Sequence, residues 1–235
     1  NLRWSVVLAF AWREVIVFLA WAAGVVWLYR RCQEQGLDVS VPIAPLSIIG
    51  VAVAFYVGFK NNQSYDRSWE ARKIWGGIVN VSRTFTSHVL SFVSAAHSSE
   101  EFDSARVKLE QRTLAYRHLA WMHALRYQLR RKTPFGFEPQ GSARRFMQET
   151  DVEAMRKQLA ELLSEHELTV VCTQVNSAAQ ILRLQSDHLR KLIDENRLIE
   201  EFRFITLMGL IQEMFALQGK CERIKNFPYP RQFAT

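Results

Sequence analysis

The sequence predicts an all-α protein, a membrane helical hairpin continuing into a long-helix cytosolic bundle. Three observations carry that expectation. Two long apolar runs, residues 15–29 and 39–59, lie close together near the N-terminus. Beyond Lys60 the apolar residues recur at helical spacing, and no stretch of useful length alternates as a strand would. The charges of that region are mixed, bases among acids in "RLIEEFR" and "HLRKLIDENR", as on a solvated, ion-paired helix surface.

The first run holds fifteen residues without a charge or an amide. It is short for a membrane span and needs "WSVVLAFAWRE" to extend it, with Arg13 and Glu14 at the interface or paired. The second run is twenty-one residues long, interrupted by Ser40, Pro42, Pro45 and Ser47. At about 1.5 Å per residue it reaches roughly 30 Å, enough to cross a hydrocarbon core. Nine residues separate the two, which reads as a hairpin in a membrane, or alternatively as a buried helix pair in a soluble protein. A secretory signal does not fit, because no small-residue cleavage site follows the first run and a second run does.

After Phe59 the chain reads as helix almost throughout. Residues 60–97 form one long candidate in which Gly76 and Gly77 mark a possible bend. Residues 101–132 place apolar positions at 115, 119, 122, 125 and 129, one helix face. "TPFGFEPQGS" (133–142) is the clearest loop. Asp151 is a plausible N-cap for a helix over 151–165, with Glu153 in its first turn. Helices follow over about 167–194 and 197–220, and "NFPYPRQFAT" closes the chain as a proline-set extended segment. The expected division is therefore 1–59 for the membrane helices and 60–235 for the helical cytosolic part. The chain opens on Asn1 rather than Met, so a segment upstream is expected.

Composition excludes several functions. The 235 residues carry a net charge of +7, and residues 60–235 hold 26 Lys and Arg against 20 Asp and Glu. "LRRK" (129–132) is the one tight basic cluster, and the stripe of bases with interleaved aromatics that nucleic-acid binding needs is missing. The excess fits the positive-inside rule, with residues 60–235 on the cytoplasmic side. Cys32, Cys172 and Cys221 are scattered and make neither a disulfide framework nor a metal motif. The histidines are 88, 97, 118, 123, 166 and 188, with no HExxH and no pair four apart. With no phosphate loop or nucleophile elbow either, no enzyme, cofactor or metal site is expected.

The second apolar run has an internal order. Gly50, Ala54 and Gly58 form a stripe of small residues, and Val51, Phe55 and Phe59 form the adjacent bulky stripe. Small residues every fourth position let helices approach closely in lipid. The bulky stripe then faces either the acyl chains or whatever the packed helices enclose. In a ring of subunits that enclosure is a pore, where apolar constrictions gate ions by dewetting.

The segment that follows resembles the bestrophin family, particularly its bacterial members. The resemblance is carried by Gly58, Phe59, Lys60, Asn61, Asn62, Tyr65, Arg67, Trp69, Glu70, Ala71, Arg72 and Trp75, in that order. It extends more weakly to "LIQEMFALQGKCERIKNFPYP" (210–230). It implies a homopentameric ring-shaped ion channel whose partners are copies of itself, the lipid bilayer and small monovalent ions. It places the neck at Val51, Phe55 and Phe59, the same stripe that spacing picks out, and the cytosolic aperture at Ile205. The family's second pair of membrane helices does not follow in this chain, nor does the acidic cluster that binds calcium in animal members. Calcium gating and a metal site are therefore not carried over.

Lys60 is then the point at which one helix leaves the bilayer and continues into water. Asn61, Asn62, Asp66, Arg67, Glu70 and Arg72 are expected to support the neck near subunit contacts, either by pairing or by meeting permeating ions. Phenyl rings presenting their positive edges to an axis favour anions. A modest chloride preference is the expectation, with a cation-conducting relative or a non-conducting membrane-anchored scaffold as alternatives.

Overall fold

The computed structural model describes residues 4–39, 43–95, 104–131, 152–195 and 197–227, with the side chains of residues 4–10 left aside. The expected loop at 133–142, the N-cap Asp151 and the closing segment 228–235 lie outside the described residues. Among the described residues there are seven helices and no strand: α1 (Trp4–Glu34), α2 (Ile43–Phe92), α3 (Ser104–Arg130), α4 (Val152–Ala160), α5 (Glu165–Cys172), α6 (Ser177–Asp194) and α7 (Glu201–Asn226). The chain divides into two compact units between Gln63 and Ser64.

In the first unit, α1 and the opening of α2 are long and apolar enough to cross a membrane. "WSVVLAFAWRE" does extend the first apolar run, since α1 begins at Trp4. No side chain over Ala11–Glu34 is buried, and Trp12, Phe18, Trp21, Trp27, Ile43 and Ile48 are each more than half exposed. Water cannot stabilise such a surface, because every apolar side chain left wet forfeits about 1.5–3 kcal/mol of burial.

α2 is 50 residues long, which at about 1.5 Å per residue is roughly 75 Å, more than twice the thickness of a hydrocarbon core. A helix of that length has to leave any bilayer it enters. Gly76 and Gly77 do not break it, and it stops at Phe92 rather than continuing to residue 97. A Cβ on Gly77 would stand 3.0 Å from the Leu217 Cδ2, so the missing side chain lets α7 pack close.

The second unit has a true core. Ile78, Val81, Phe85 and Val89 of α2 meet Leu114, Trp121 and Leu125 of α3, Ile181, Leu182 and Leu189 of α6, and Leu207, Ile211 and Met214 of α7. The sequence reading of α3 needs correction. Its buried face runs through Leu114, Arg117, His118, Trp121, Ala124 and Leu125, and Leu119 is 44% exposed. A pattern of apolar residues alone misses this face because two of its positions are an arginine and a histidine.

The single helix expected over 167–194 is in fact two. Ser164 caps α5 in a reciprocal capping box with Glu167, and the helix ends at Cys172. Asn176 then accepts from the Ala179 N–H to start α6. α7 runs six residues further than the expected end at 220, to Asn226. In the α6–α7 link, the Leu198 N–H donates to the Leu192 carbonyl at 2.8 Å and the Ser94 N–H to the Leu198 carbonyl at 2.9 Å. That link is thereby fastened to the end of α2.

Candidate functional site

The expected neck residues lie on α2 at one-turn intervals, and their side chains are unpacked: Val51 is 58% exposed, Phe55 64% and Phe59 62%. The Phe55 and Phe59 rings stack with centroids 6.2 Å apart and planes 30° apart, so they form one continuous apolar ridge. The adjacent small stripe is equally open. A Cβ on Gly50 or Gly58 would find nothing within 4 Å.

Lys60 is half-buried, and Asn61, Asn62, Asp66 and Arg72 are exposed. Tyr65 and Trp69 stack on this segment with centroids 6.3 Å apart and planes 8° apart. Arg67 and Glu70 are the two members that turn inward, and both reach the C-terminal end of α7. The Arg67 guanidinium donates to the Ile224 carbonyl. That carbonyl is among the last four of α7, which lack helical donors and carry the negative end of its dipole, so a cation there is favoured on two counts. Glu70 accepts from Arg223 at 2.6 Å. With side chains 45% and 64% exposed, that pair contributes roughly 0–1 kcal/mol at most and acts chiefly as a guide for direction. The two bonds form a latch from α2 to α7 that the sequence alone did not disclose, since Arg67 and Glu70 stand three apart on one helix and could equally pair there.

The latch is built up from behind. Lys225 donates to the Gln128 carbonyl, and the Glu222 carboxylate accepts from Gln128 at 2.8 Å, Gln218 at 2.8 Å and Asn176 at 3.1 Å. The Gln218 amide oxygen in turn takes the Trp121 indole N–H at 3.0 Å. Burial, and then the Arg131 charge, pull the Lys225 amine below the usual lysine range, while Glu222 partly offsets them. This network holds the ends of α3 and α7 to the start of α6.

Ile205 sits near the start of α7, 64% exposed, with Phe202 beside it at 76%. Eighteen residues of helix separate it from Arg223, roughly 27 Å of axis. α7 therefore carries the expected aperture residue at one end and the latch at the other. Among the described residues no group of three or more His, Cys, Asp and Glu side chains gathers as metal ligands would.

The class defined by these features is an all-α protein with two helices of membrane-crossing length and a separate helical core joined by one long helix. The chain belongs to the family described as bacterial/fungal bestrophin protein, whose model matches residues 2–235. It is 35% identical over 141 residues to a voltage-dependent anion channel-forming protein of Ralstonia nicotianae, covering 57% of this chain and 43% of that one. A protein of the same description from Escherichia coli K12, YneE, is 29% identical over 194 residues, covering 83% of this chain and 53% of its own. The chain thus spans about half the length of these curated relatives. A bacterial bestrophin homologue from Klebsiella pneumoniae, solved as its D179A mutant, has the same fold with a TM-score of 0.72, 21% identity, and coverage of 95% of this chain and 70% of that one.

Proposed function

We propose that this chain forms a homopentameric ion channel in the cell membrane, with Val51, Phe55 and Phe59 as its neck, Ile205 at a cytosolic aperture, and chloride slightly favoured. The observation that carries the reading is the apolar ridge of α2, exposed beside an equally open seam of glycines. A helix whose two faces no described residue covers has room for a second copy on the small face. The bulky face is then left to line the axis of the ring, where it makes a hydrophobic constriction. Membership of the bestrophin family and relatives described as anion channel-forming support the same reading. The latch at Arg67 and Glu70 ties α2 to α7 just beyond the neck, and the exposed Asn61, Asn62, Asp66 and Arg72 are placed to meet a neighbouring copy. Residues 1–59 hold the membrane helices, and the bulk of the chain lies in the cytoplasm.

Purified protein in a planar bilayer under a salt gradient tests this directly. The expected result is a current that reverses towards the chloride equilibrium potential. Reversal near the sodium value contradicts the anion preference and favours a cation-conducting relative. Silence under every condition, including alanine replacement at all three neck positions, contradicts the channel and leaves a scaffold.

A further inference from the structure

A second constellation lies within the unit that begins at Ser64. Arg117 of α3 is 6% exposed, and a buried guanidinium is tolerable only when its donors are paired. Its Nε and Nη2 donate to the Glu167 Oε1 of α5 at 3.0 and 2.5 Å. Its Nη1 donates to the Gln185 Oε1 of α6 at 3.2 Å and faces the His188 Nδ1 at 2.8 Å. On the far side of the ring, the His188 Nε2 is 2.8 Å from the Glu110 Oε2, back on α3. Gln185 also donates to the Leu114 carbonyl at 2.8 Å.

These contacts settle the state of the ring. An arginine only donates, so Nδ1 must accept and carries no proton, while the Glu110 carboxylate needs a donor and finds it in Nε2–H. The neutral Nε2–H tautomer satisfies both sides at once. A second proton on Nδ1 would point an N–H at the Arg117 Nη1 and destroy that bond.

We propose that His188 is a proton-operated clamp: neutral, it ties α6 to Arg117 and Glu110 of α3, and on protonation it lets go of Arg117 and loosens the junction of α3, α5 and α6. The charged groups facing it are Arg117 and Glu110 of α3 and Glu167 of α5. Burial and then Arg117 push the His188 pKa down, and Glu110 and Glu167 partly restore it. A base whose folded pKa is lowered leaves stability intact above the unfolded value of 6.5 and removes it as pH falls below that value. Glu167 is held below the usual carboxylate range despite the opposing effect of its burial, because Arg117 and Ser164 stabilise its charge. Its contribution is present above 4.5 and lost as pH falls below it, so both groups make the junction acid-sensitive with the same sign. α6 leads into α7 across residues 195–200, which puts this junction one short link from Ile205. The clamp itself is a property of the bundle and does not rest on the channel reading.

Thermal melting of the full chain in detergent at pH 7.5 and 5.5 tests the clamp. The wild type melts lower in acid, and His188→Gln, which keeps a donor and an acceptor but cannot titrate, shrinks that drop by about 2–4 °C. Glu110→Gln, which removes the carboxylate that favours the charged ring, enlarges it. His118, buried against Phe85 and Trp121 with its pKa lowered to about 4, contributes its own acid-sensitive part, and His118→Gln measures it separately. A drop in His188→Gln equal to that of the wild type overturns the proposal. Should the variants not fold, histidine hydrogen–deuterium exchange on the wild type reads the same group: a His188 midpoint below 6.5 supports the clamp, and one at or above 6.5 overturns it.

Discussion

Phe55 and Phe59 are 64% and 62% exposed, whereas Phe85, on the same helix, is fully enclosed. α2 thus passes through two regimes. Up to Phe59 its apolar residues are exposed among the described residues, and from Ile74 onward one stripe of them forms the spine of a core. The residue types are alike, and the difference lies in what surrounds them. Around Phe85 the chain supplies its own partners, α3, α6 and α7. Around Phe55 the described residues supply none, and lipid, further copies of the chain, or both would cover it in the proposed channel. The polar segment between the regimes is where the helix crosses from one to the other, and its two inward residues, Arg67 and Glu70, tie it to α7 at that point.

The largest effect that distinguishes the regimes is expected from truncating an aromatic in each. Trp121→Ala removes a side chain with no exposed surface and strips Gln218 of its indole donor, and is expected to destabilise the bundle by about 3–5 kcal/mol in chemical denaturation. Phe55→Ala, outside the core, is expected to change bundle stability by no more than about 0.5 kcal/mol. Comparable losses for the two would break the contrast.

A finer comparison uses the two adjacent glycines. At Gly76 a Cβ meets nothing, so Gly76→Ala is expected to stabilise the helix by about 0.5–1 kcal/mol. At Gly77 the same methyl group must displace the buried Leu217, and the gain from Gly77→Ala is expected to fall short of its neighbour's. Equal gains in melting temperature would mean that α2 and α7 are not closely packed there.

The apolar ridge of Val51, Phe55 and Phe59 was legible in the sequence because the signal is local: bulky and small residues at four-residue spacing, ended abruptly by Lys60. The membrane-length helices were legible for the same reason. What stayed hidden depends on partners distant along the chain. The face of α3 was misread because Arg117 and His118 are buried, one neutralised by Glu167 fifty residues away and the other inserted between Phe85 and Trp121. The break between α5 and α6 was missed although Asn176 is a strong N-cap type. That local signal was present and was outweighed by the continuous helical pattern around it. The Arg67 and Glu70 latch could not be read at all, because each residue has a nearer possible partner on its own helix than the one it takes on α7.

The central claim is that the ridge of Val51, Phe55 and Phe59 surrounds water-filled space and does not face lipid. Spin labels placed singly at 55 and 59, and at 53 and 57 on the opposite face, measure it in reconstituted protein. Collisions with a water-soluble nickel chelate should dominate at 55 and 59, and collisions with membrane-dissolved oxygen at 53 and 57. Oxygen dominating at 55 and 59 would place the ridge in lipid and contradict the account.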